Sequence, residues 1–246
     1  QVYRDVFPRV VGFKLYAGHS VGNLGVIREE DQRKIFSTLA QEGYDGVLAV
    51  HAEKESEMKK DFWKSVEPIT HCFARPPEAE IASVKDMVRF NLDYKFKGKL
   101  HIAHVSVPES VEIIDDARTF GVDISCGVCP HHFIFDYGVM LRENGIMYKM
   151  NPPLRKPGDN KKMLEFLREG KIDWIETDHA PHTIEEKTSG NFMSGITGIQ
   201  NWDFYKEYLL INGFTTGQVE KLTFGNVMER FGFEVEMNKR DLIDRR

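Results

Sequence analysis

The stretch WIETDHAPHT, at positions 174–183, begins as an apolar run and then presents an aspartate and two histidines. Trp174 and Ile175 are typical of a buried strand, and Asp178 stands where that strand would end. In parallel α/β proteins, catalytic side chains come from the carboxyl ends of buried strands. The stretch therefore predicts a strand of a parallel sheet with chemistry at its end.

Working outward from this stretch, strand-like and helix-like segments alternate about five times along the chain. Strands are expected at residues 10–16, 46–51, 99–106, 122–128 and 171–178. Helices are expected at residues 29–42, 53–66, 77–94, 108–120, 160–169 and 216–231. Such alternation, with strands that are apolar on both faces, is typical of a parallel α/β sheet, either a barrel or a doubly wound sheet.

The two parallel architectures differ in their motifs. A doubly wound nucleotide-binding sheet would carry a glycine-rich phosphate turn after its first strand, and the sequence contains neither G-x-G-x-x-G nor a P-loop. We therefore favour a (β/α)8 barrel of the TIM type, in which polar residues at several strand ends converge on one mouth.

Composition limits the function classes. The 246 residues are 41% hydrophobic and carry a formal charge of −5 without a long run of one sign, which argues against disorder and against nucleic-acid or anionic-membrane surfaces. No apolar run approaches the roughly 18 residues of a membrane span. Three cysteines fit a reducing compartment. We expect a cytoplasmic protein with a small-molecule substrate.

Polar residues stand near the carboxyl ends of four predicted strands. They are Lys14, His51, His104 and Asp178. Each alone has an ordinary structural reading, as an ion-paired lysine, a histidine at the rim of the core or an aspartate that caps a turn. Their joint placement at strand ends favours a metal site built from imidazole and carboxylate groups.

The motifs GFKLYAG, VLAVHAEK, HIAHVS, CPHHFIFD, MNPPLR and TDHAPHT follow one another in the order seen in dihydroorotases. These enzymes are members of the amidohydrolase superfamily, which also holds hydantoinases, dihydropyrimidinases and allantoinases. The resemblance covers residues 11–231, and the pair NPPLR and DHAPHT points to dihydroorotase. It implies reversible zinc-dependent hydrolysis of dihydroorotate to N-carbamoyl-aspartate in pyrimidine biosynthesis, and a homodimer is compatible with it.

The resemblance also implies roles for individual residues. Lys14 matches a lysine that CO2 carboxylates and that bridges two zinc ions. His51 and His104 match ligands of the second metal, and Asp178 matches a ligand of the first metal that also shuttles the proton. Asn151 and His182 match residues that hold the substrate, with His182 on its carboxylate side. The segment SGITGI, residues 194–199, resembles one that contacts the pyrimidine ring.

The sequence also departs from the family. No H-x-H motif, the family's first pair of metal ligands, occurs in it, and the arginine that follows that motif is missing as well. We expect residues 1–232 to be an incomplete barrel of about five βα units from a longer enzyme, with 233–246 as a tail that leads toward a small β-domain. The alternative is a non-catalytic relative that serves as a structural or regulatory partner.

One further motif suggests a different chemistry. Cys126 and Cys129 form a C-x-x-C pair followed by Pro130, His131 and His132. Haem attachment would require histidine directly after the second cysteine, and a structural zinc site would require a second paired motif. We interpret the two cysteines as buried strand residues without redox or metal function.

Overall fold

The computed structural model describes residues 5–20 and 22–233, and five parallel strands form its central sheet. The strands are β1 (Gly12–Tyr16), β2 (Val47–His51), β3 (Lys99–Ile102), β4 (Ile124–Val128) and β5 (Trp174–Ile175). They lie in chain order, β1-β2-β3-β4-β5, and every neighbouring pair is parallel. Parallel strands in sequential order are the arrangement of a βα barrel, and their number matches the five expected units.

Helices follow the strands and cover one face of the sheet. They are α1 (Glu29–Gln41), α2 (Thr70–Ala74), α3 (Pro77–Tyr94), α4 (Pro108–Thr119), α5 (Pro130–Ile134), α6 (Asp159–Glu169), α7 (Ile184–Thr188), α8 (Trp202–Ile211), α9 (Thr216–Glu220) and α10 (Asn226–Phe231). The ends of the longer helices follow local chemistry. Pro77 opens α3 where a missing N–H costs nothing, and Gly170 ends α6 in the left-handed conformation.

The hydrophobic core lies between the sheet and the helices. Apolar residues recur at three- and four-residue spacing on the helix sides that meet the strands. Examples are Phe36 and Leu39 in α1, Val84, Met87 and Phe90 in α3, Val111 and Ile114 in α4, and Met163 and Phe166 in α6. They pack on strand residues such as Leu48, Leu100 and Ile102, all at most 1% exposed. Burial of this apolar area is the main stabilising contribution.

The opposite face of the sheet is polar, unlike the strands with two apolar faces that we expected. Because successive side chains alternate between faces, one set of strand residues points away from the helices. This inner set comprises Lys14, Ala49, His51, His101, Ser125, Gly127, Trp174 and Glu176. His101 contacts both Ser125 and Glu176 across it, which confirms that residues from three consecutive parts of the sheet meet there.

Several predicted element boundaries are wrong. Residues 53–66 do not form a helix but contain two short 3-10 turns, Glu55–Glu57 and Lys60–Phe62. The backbone N–H groups of Lys54 and Lys59 donate to the carbonyls of Ala79 and Ala74, so they are not available for helical bonds.

Other elements are shorter or more broken than expected. The strand predicted at 99–106 ends at Ile102 because the chain turns at His104, and the strand predicted at 171–178 is reduced to Trp174–Ile175. The helix predicted at 216–231 consists of α9, a π-helical segment at Lys221–Gly225 and α10. The helix α8 and the short helices α2, α5 and α7 were not predicted, and the tail predicted at 233–246 lies outside the described residues except for Phe233.

A membrane span does not occur among the helices of the described part of the chain, since none of them combines sufficient length with sufficient apolar character.

Phe90 provides a test of the helix-to-sheet core. It is fully buried and meets Phe36 edge to face at 5.7 Å between ring centroids. We expect Phe90→Ala to lower the free energy of unfolding by about 3–5 kcal/mol, because the substitution leaves a cavity in a packed core. Urea denaturation followed by circular dichroism measures the change.

Phe120→Ala, at a side chain that is 75% exposed, is the control and should change stability by less than about 0.5 kcal/mol. Equal losses in the two variants would contradict this account of the core.

Candidate active site

A cavity of about 160 Å³ lies at the carboxyl ends of the strands, on the polar face of the sheet. Its lining residues are Lys14, Tyr16, Ser20, His51, His104, Asn151, Asp178, Ala180, Ser194 and Gly195. Five of the six site residues expected from the sequence therefore meet in one place, although they are spread over more than 160 positions of the chain. The parallel sheet explains this convergence, since it brings the ends of all strands to the same edge.

Two buried imidazoles form the inner part of the site. Nδ1 of His51 lies 3.2 Å from Nε2 of His104, and both residues are buried. A tetrahedral zinc ion holds two nitrogen ligands at about 2.0–2.1 Å, which places them about 3.3 Å apart. In addition, Nδ1 of His104 is buried and has no hydrogen-bond partner among residues 5–20 and 22–233. The pair is therefore spaced like two ligands of one metal ion.

A buried carboxylate orients His51. Nε2 of His51 lies 3.0 Å from Oε2 of Glu53, and both side chains are 1% exposed. Burial would raise the pKa of Glu53, but Arg75 and His51 together hold that pKa well below its usual range, so the group is anionic. Arg75 also donates to the backbone carbonyl of His19 at 2.7 Å. This contact is an ion pair without hydrogen-bond geometry, and a carboxylate so close to a histidine makes the ring a better ligand.

Backbone strain is concentrated at two of the site residues. His104 and Asp178 each have a φ of 42°, in the left-handed region that non-glycine residues seldom occupy. Such conformations persist where the surrounding structure holds them, and they cluster at functional sites. At each of these two residues the left-handed conformation turns the chain away from the strand direction and toward the cavity.

Lys14 and Asp178 both line the cavity and interact electrostatically. Solvent reaches Lys14, yet desolvation by the protein atoms around its ammonium lowers its pKa, against the opposing effect of Glu176 and Asp178. Desolvation likewise raises the pKa of Asp178, and Lys14 opposes that shift. Both shifts favour the uncharged forms, in which the amine can react and the carboxyl group can hold a proton.

Asn151 is held by His71, a histidine to which the sequence pattern assigned no chemistry. Nε2 of His71 lies 3.0 Å from Oδ1 of Asn151 and 3.0 Å from the carbonyl of Met150. Burial lowers the pKa of His71 to about 3, so the ring is neutral and its N–H donates. Because Oδ1 of Asn151 is bound to His71, its amide nitrogen Nδ2 is directed toward Oγ of Ser20 on the cavity side.

His182 lies behind the cavity wall and does not line it. Its Nε2 is 3.2 Å from the carbonyl of Ser194, a residue that does line the cavity. His179 accepts hydrogen bonds at Nδ1 from the backbone N–H groups of Gly198 and Ile199, at 3.0 and 3.3 Å. The two histidines therefore connect the segment after β5 to residues 194–199.

Comparisons with known proteins agree with this geometry. Over 197 residues the chain is 32% identical to a dihydroorotase from Lactobacillus helveticus, and the alignment covers 79% of this chain and 46% of that protein. The chain is homologous to dihydroorotases. It spans about half the length of the curated dihydroorotases that it matches. No protein-family model matches it.

Solved structures that are similar to this chain share its fold. A D-hydantoinase (dihydropyrimidinase) from Thermus sp. matches with a TM-score of 0.82 at 19% identity, over 94% of this chain and 52% of that one. A dihydroorotase from Saccharomyces cerevisiae, in complex with 5-fluoroorotic acid, matches with a TM-score of 0.74 at 16% identity, over 94% and 63%. Such structures are TIM-barrel amidohydrolases, so the predicted fold class is confirmed, and the chain covers part of that barrel.

Two buried lysines hold the segment of this dihydroorotase homologue that borders the cavity. Lys149 donates to the carbonyl of Phe192 at 2.6 Å and to Oγ of Ser194 at 2.7 Å. Lys187 donates to the carbonyls of Lys149 and Gly195, at 3.1 and 2.6 Å. Burial lowers the pKa of each lysine to about 8, and the charge of Lys187 adds to the shift at Lys149.

A second group of potential metal ligands lies beside the site. The ligand atoms of Cys129, His131 and His132 are within 4.8 Å of one another, and all three residues are buried. Burial raises the pKa of the Cys129 thiol well above its ordinary value, so the sulfur keeps its proton. Nε2 of His132 is engaged with the carbonyl of Pro152 at 3.0 Å. Cys126 and Cys129 are free and buried as interpreted, but only Cys126 lies in β4, and Cys129 follows the strand directly before α5.

The lysine pair leads to a prediction about pH. An unfolded lysine keeps its proton up to a pH of about 10.5, whereas Lys187 in the folded protein releases it near 8. Between these values the unfolded state binds more protons, so the unfolding free energy rises with pH through this window. We expect Lys187→Met to gain less stability than the wild type when the pH rises from 7.5 to 9.5.

Urea denaturation at the two pH values measures the gain. Lys97→Met, at an exposed lysine, is the matched control and should keep the pH dependence of the wild type. Identical gains in Lys187→Met and the wild type would show that the buried ammonium does not titrate in this window.

Proposed function

We propose that the natural full-length protein is a zinc-dependent dihydroorotase, which hydrolyses the cyclic amide of dihydroorotate to N-carbamoyl-aspartate and catalyses the reverse ring closure. The observation that carries the proposal is the meeting of Lys14, His51, His104 and Asp178 at one cavity. The 32% identity to a dihydroorotase over most of this chain supports the choice within the amidohydrolases.

The donor set supplies two imidazoles for one zinc ion and oxygen donors that a second zinc ion would share. His51 and His104 supply imidazole nitrogens at metal-ligand spacing, and the unpartnered Nδ1 of the buried His104 ring leaves that ring otherwise uncompensated. Asp178 and a carboxylated Lys14 would supply oxygen ligands, with Lys14 as the bridge. Bound there, two such ions would activate a water molecule and polarise the amide carbonyl.

The residues of the chain have the chemistry that ring opening requires. Lys14 forms a carbamate with CO2 only as a neutral amine, and desolvation lowers its pKa in that direction. Asp178 takes a proton from the attacking water and returns it to the ring nitrogen that leaves. In ring closure the same carboxyl group acts in the opposite order.

The proposed substrate contacts are with residues in or behind the wall of the cavity. The amide of Asn151, aimed by His71, donates to the pyrimidine ring, and the backbone of Ser194 and Gly195 borders the same space. For His182, which lies behind this wall next to Ser194, we propose a contact with the substrate carboxylate. The ammonium groups of Lys149 and Lys187 add positive charge behind this wall, which favours an anionic substrate.

The remaining expectations belong to the same proposal. We place the enzyme in the cytoplasm and consider a homodimer as its assembly. Residues 1–232 would contribute five βα units to the amidohydrolase barrel.

The decisive experiment compares cyclic amides. The purified full-length protein, loaded with zinc, is incubated in parallel with dihydroorotate, hydantoin, dihydrouracil and allantoin, and ring opening is followed by ultraviolet absorbance. We expect dihydroorotate to be preferred. Preference for a ring without a carboxylate would move the assignment to hydantoinase, dihydropyrimidinase or allantoinase. Absence of turnover, with no zinc bound at micromolar concentration, would favour the non-catalytic partner.

Asp178 is the most direct residue to test. We expect Asp178→Asn to lower kcat by about 10²–10⁴, the range of positioned proton-transfer groups, while the protein stays folded. The measurement is the initial rate of dihydroorotate hydrolysis, with circular dichroism as the folding check. Asp203→Asn, at an aspartate whose side chain is 96% exposed, is the matched control and should keep full activity. An Asp178→Asn protein with wild-type turnover would remove the proposed proton transfer.

A further inference from the structure

Glu176 lies on the polar face of the sheet, two residues before Asp178, and three donors hold its carboxylate. Nε2 of His101 is 2.5 Å from Oε1, and the indole N–H of Trp174 donates to the same oxygen at 2.9 Å. The backbone N–H of His104 donates to Oε2 at 2.9 Å. The carboxylate thus links β3, β5 and the turn that carries His104.

Other contacts hold His101 and Trp174, the two side chains that donate to Oε1. The ring of His101 stacks on the indole of Trp174 at 4.2 Å between centroids, with 19° between the planes. The other ring nitrogen of His101, Nδ1, lies 3.0 Å from Oγ of Ser125 on β4. Glu176 is therefore anchored on one oxygen and presents the other to His104.

The bond to Oε2 matters because of the conformation of His104. Its φ of 42° turns the chain sharply after β3, so that its ring meets His51 and its N–H points to the interior of the sheet face. A buried N–H without an acceptor is costly, and a left-handed non-glycine residue requires support from its surroundings. Glu176 supplies both the acceptor and the support.

Because Gly127 has no side chain, it leaves room for the carboxylate of Glu176. A Cβ added to Gly127 would lie 2.2 Å from Oε1 and 2.4 Å from Cδ of Glu176. Any side chain at position 127 would therefore push the carboxylate away from its three donors. The backbone of Gly127 has ordinary dihedral angles, so the requirement for glycine there comes from this contact and not from conformation.

We propose that Glu176 is a positioning residue, which fixes the turn at His104 and so the spacing of the His51 and His104 imidazoles, and that Gly127 is required because it makes room for this carboxylate. The inference rests on the proposed metal-dependent function. It adds to that function a residue that does not line the cavity and a glycine outside the family motifs.

The test uses the full-length natural protein and Co²⁺ as a spectroscopic probe. Glu176→Ala and Gly127→Ala should each weaken Co²⁺ binding, measured by chelator competition, by about 10–100-fold and alter the visible absorption bands of the bound ion. The kcat for dihydroorotate should fall by a similar factor with KM within about threefold, because the substrate contacts remain.

The double variant gives the sharpest result. If alanine at position 127 acts by displacing Glu176, then Gly127→Ala combined with Glu176→Ala should bind Co²⁺ no more weakly than Glu176→Ala alone. Gly217→Ala is the matched control, because a Cβ there meets nothing within 4 Å, and it should behave as the wild type. Additive losses in the double variant would overturn the link between Gly127 and Glu176.

A purely structural role would give a different pattern. It would lower the unfolding free energy of the variants while leaving the Co²⁺ affinity and spectrum unchanged, and that result would overturn the proposal. If Glu176→Ala does not fold, the measurements on Gly127→Ala alone test the proposal, since this variant keeps every polar group of the site.

A wild-type protein that binds no Co²⁺ and opens no cyclic amide would remove the proposed function together with this inference. A wild type that does both, with unaffected variants, would remove the inference alone.

Discussion

The contact between the imidazoles of His51 and His104, 3.2 Å apart in a buried position, is the constraint on which the rest of the site depends. The other ring nitrogen of His104, Nδ1, is buried and has no partner in the described part of the chain. Carboxylates on both sides keep the rings in place. Glu53 lies behind His51, and Glu176 holds the backbone of His104.

These supports are connected to the outer parts of the molecule. Arg75 neutralises Glu53 and also binds the carbonyl of His19, which ties the loop after β1 to the ring of His51. Arg155, in the NPPLR motif, donates to Oγ of Ser106 and to the carbonyl of Arg75. Arg155 thus connects the NPPLR motif to the residues that support the site, through buried ionic and polar contacts. Leaving any of these buried groups without a partner would be costly.

The sheet divides the protein into a part that stabilises and a part that can react. Leu48, Leu100 and Ile102 face the helices and are at most 1% exposed, whereas His101, Ser125 and Glu176 form a hydrogen-bonded network on the other face. In a barrel the second face is the interior, where the low dielectric strengthens each polar contact. Stability is therefore supplied mainly by one face, and the chemistry is arranged at the end of the other.

The sequence by itself determined the parallel α/β class, most strands and helices, and the positions of Lys14, His51, His104 and Asp178, because hydrophobic periodicity and polar residues at strand ends are local signals. Only the tertiary structure decided which groups support them. His71, Glu176, Lys149 and Lys187 act through partners at distant positions in the chain, such as Glu176 with His101 and His104. The failed helix at 53–66 has the same cause, since Lys54 and Lys59 donate to residues near α3. Local propensity cannot show such partners, since only the folded chain brings them together.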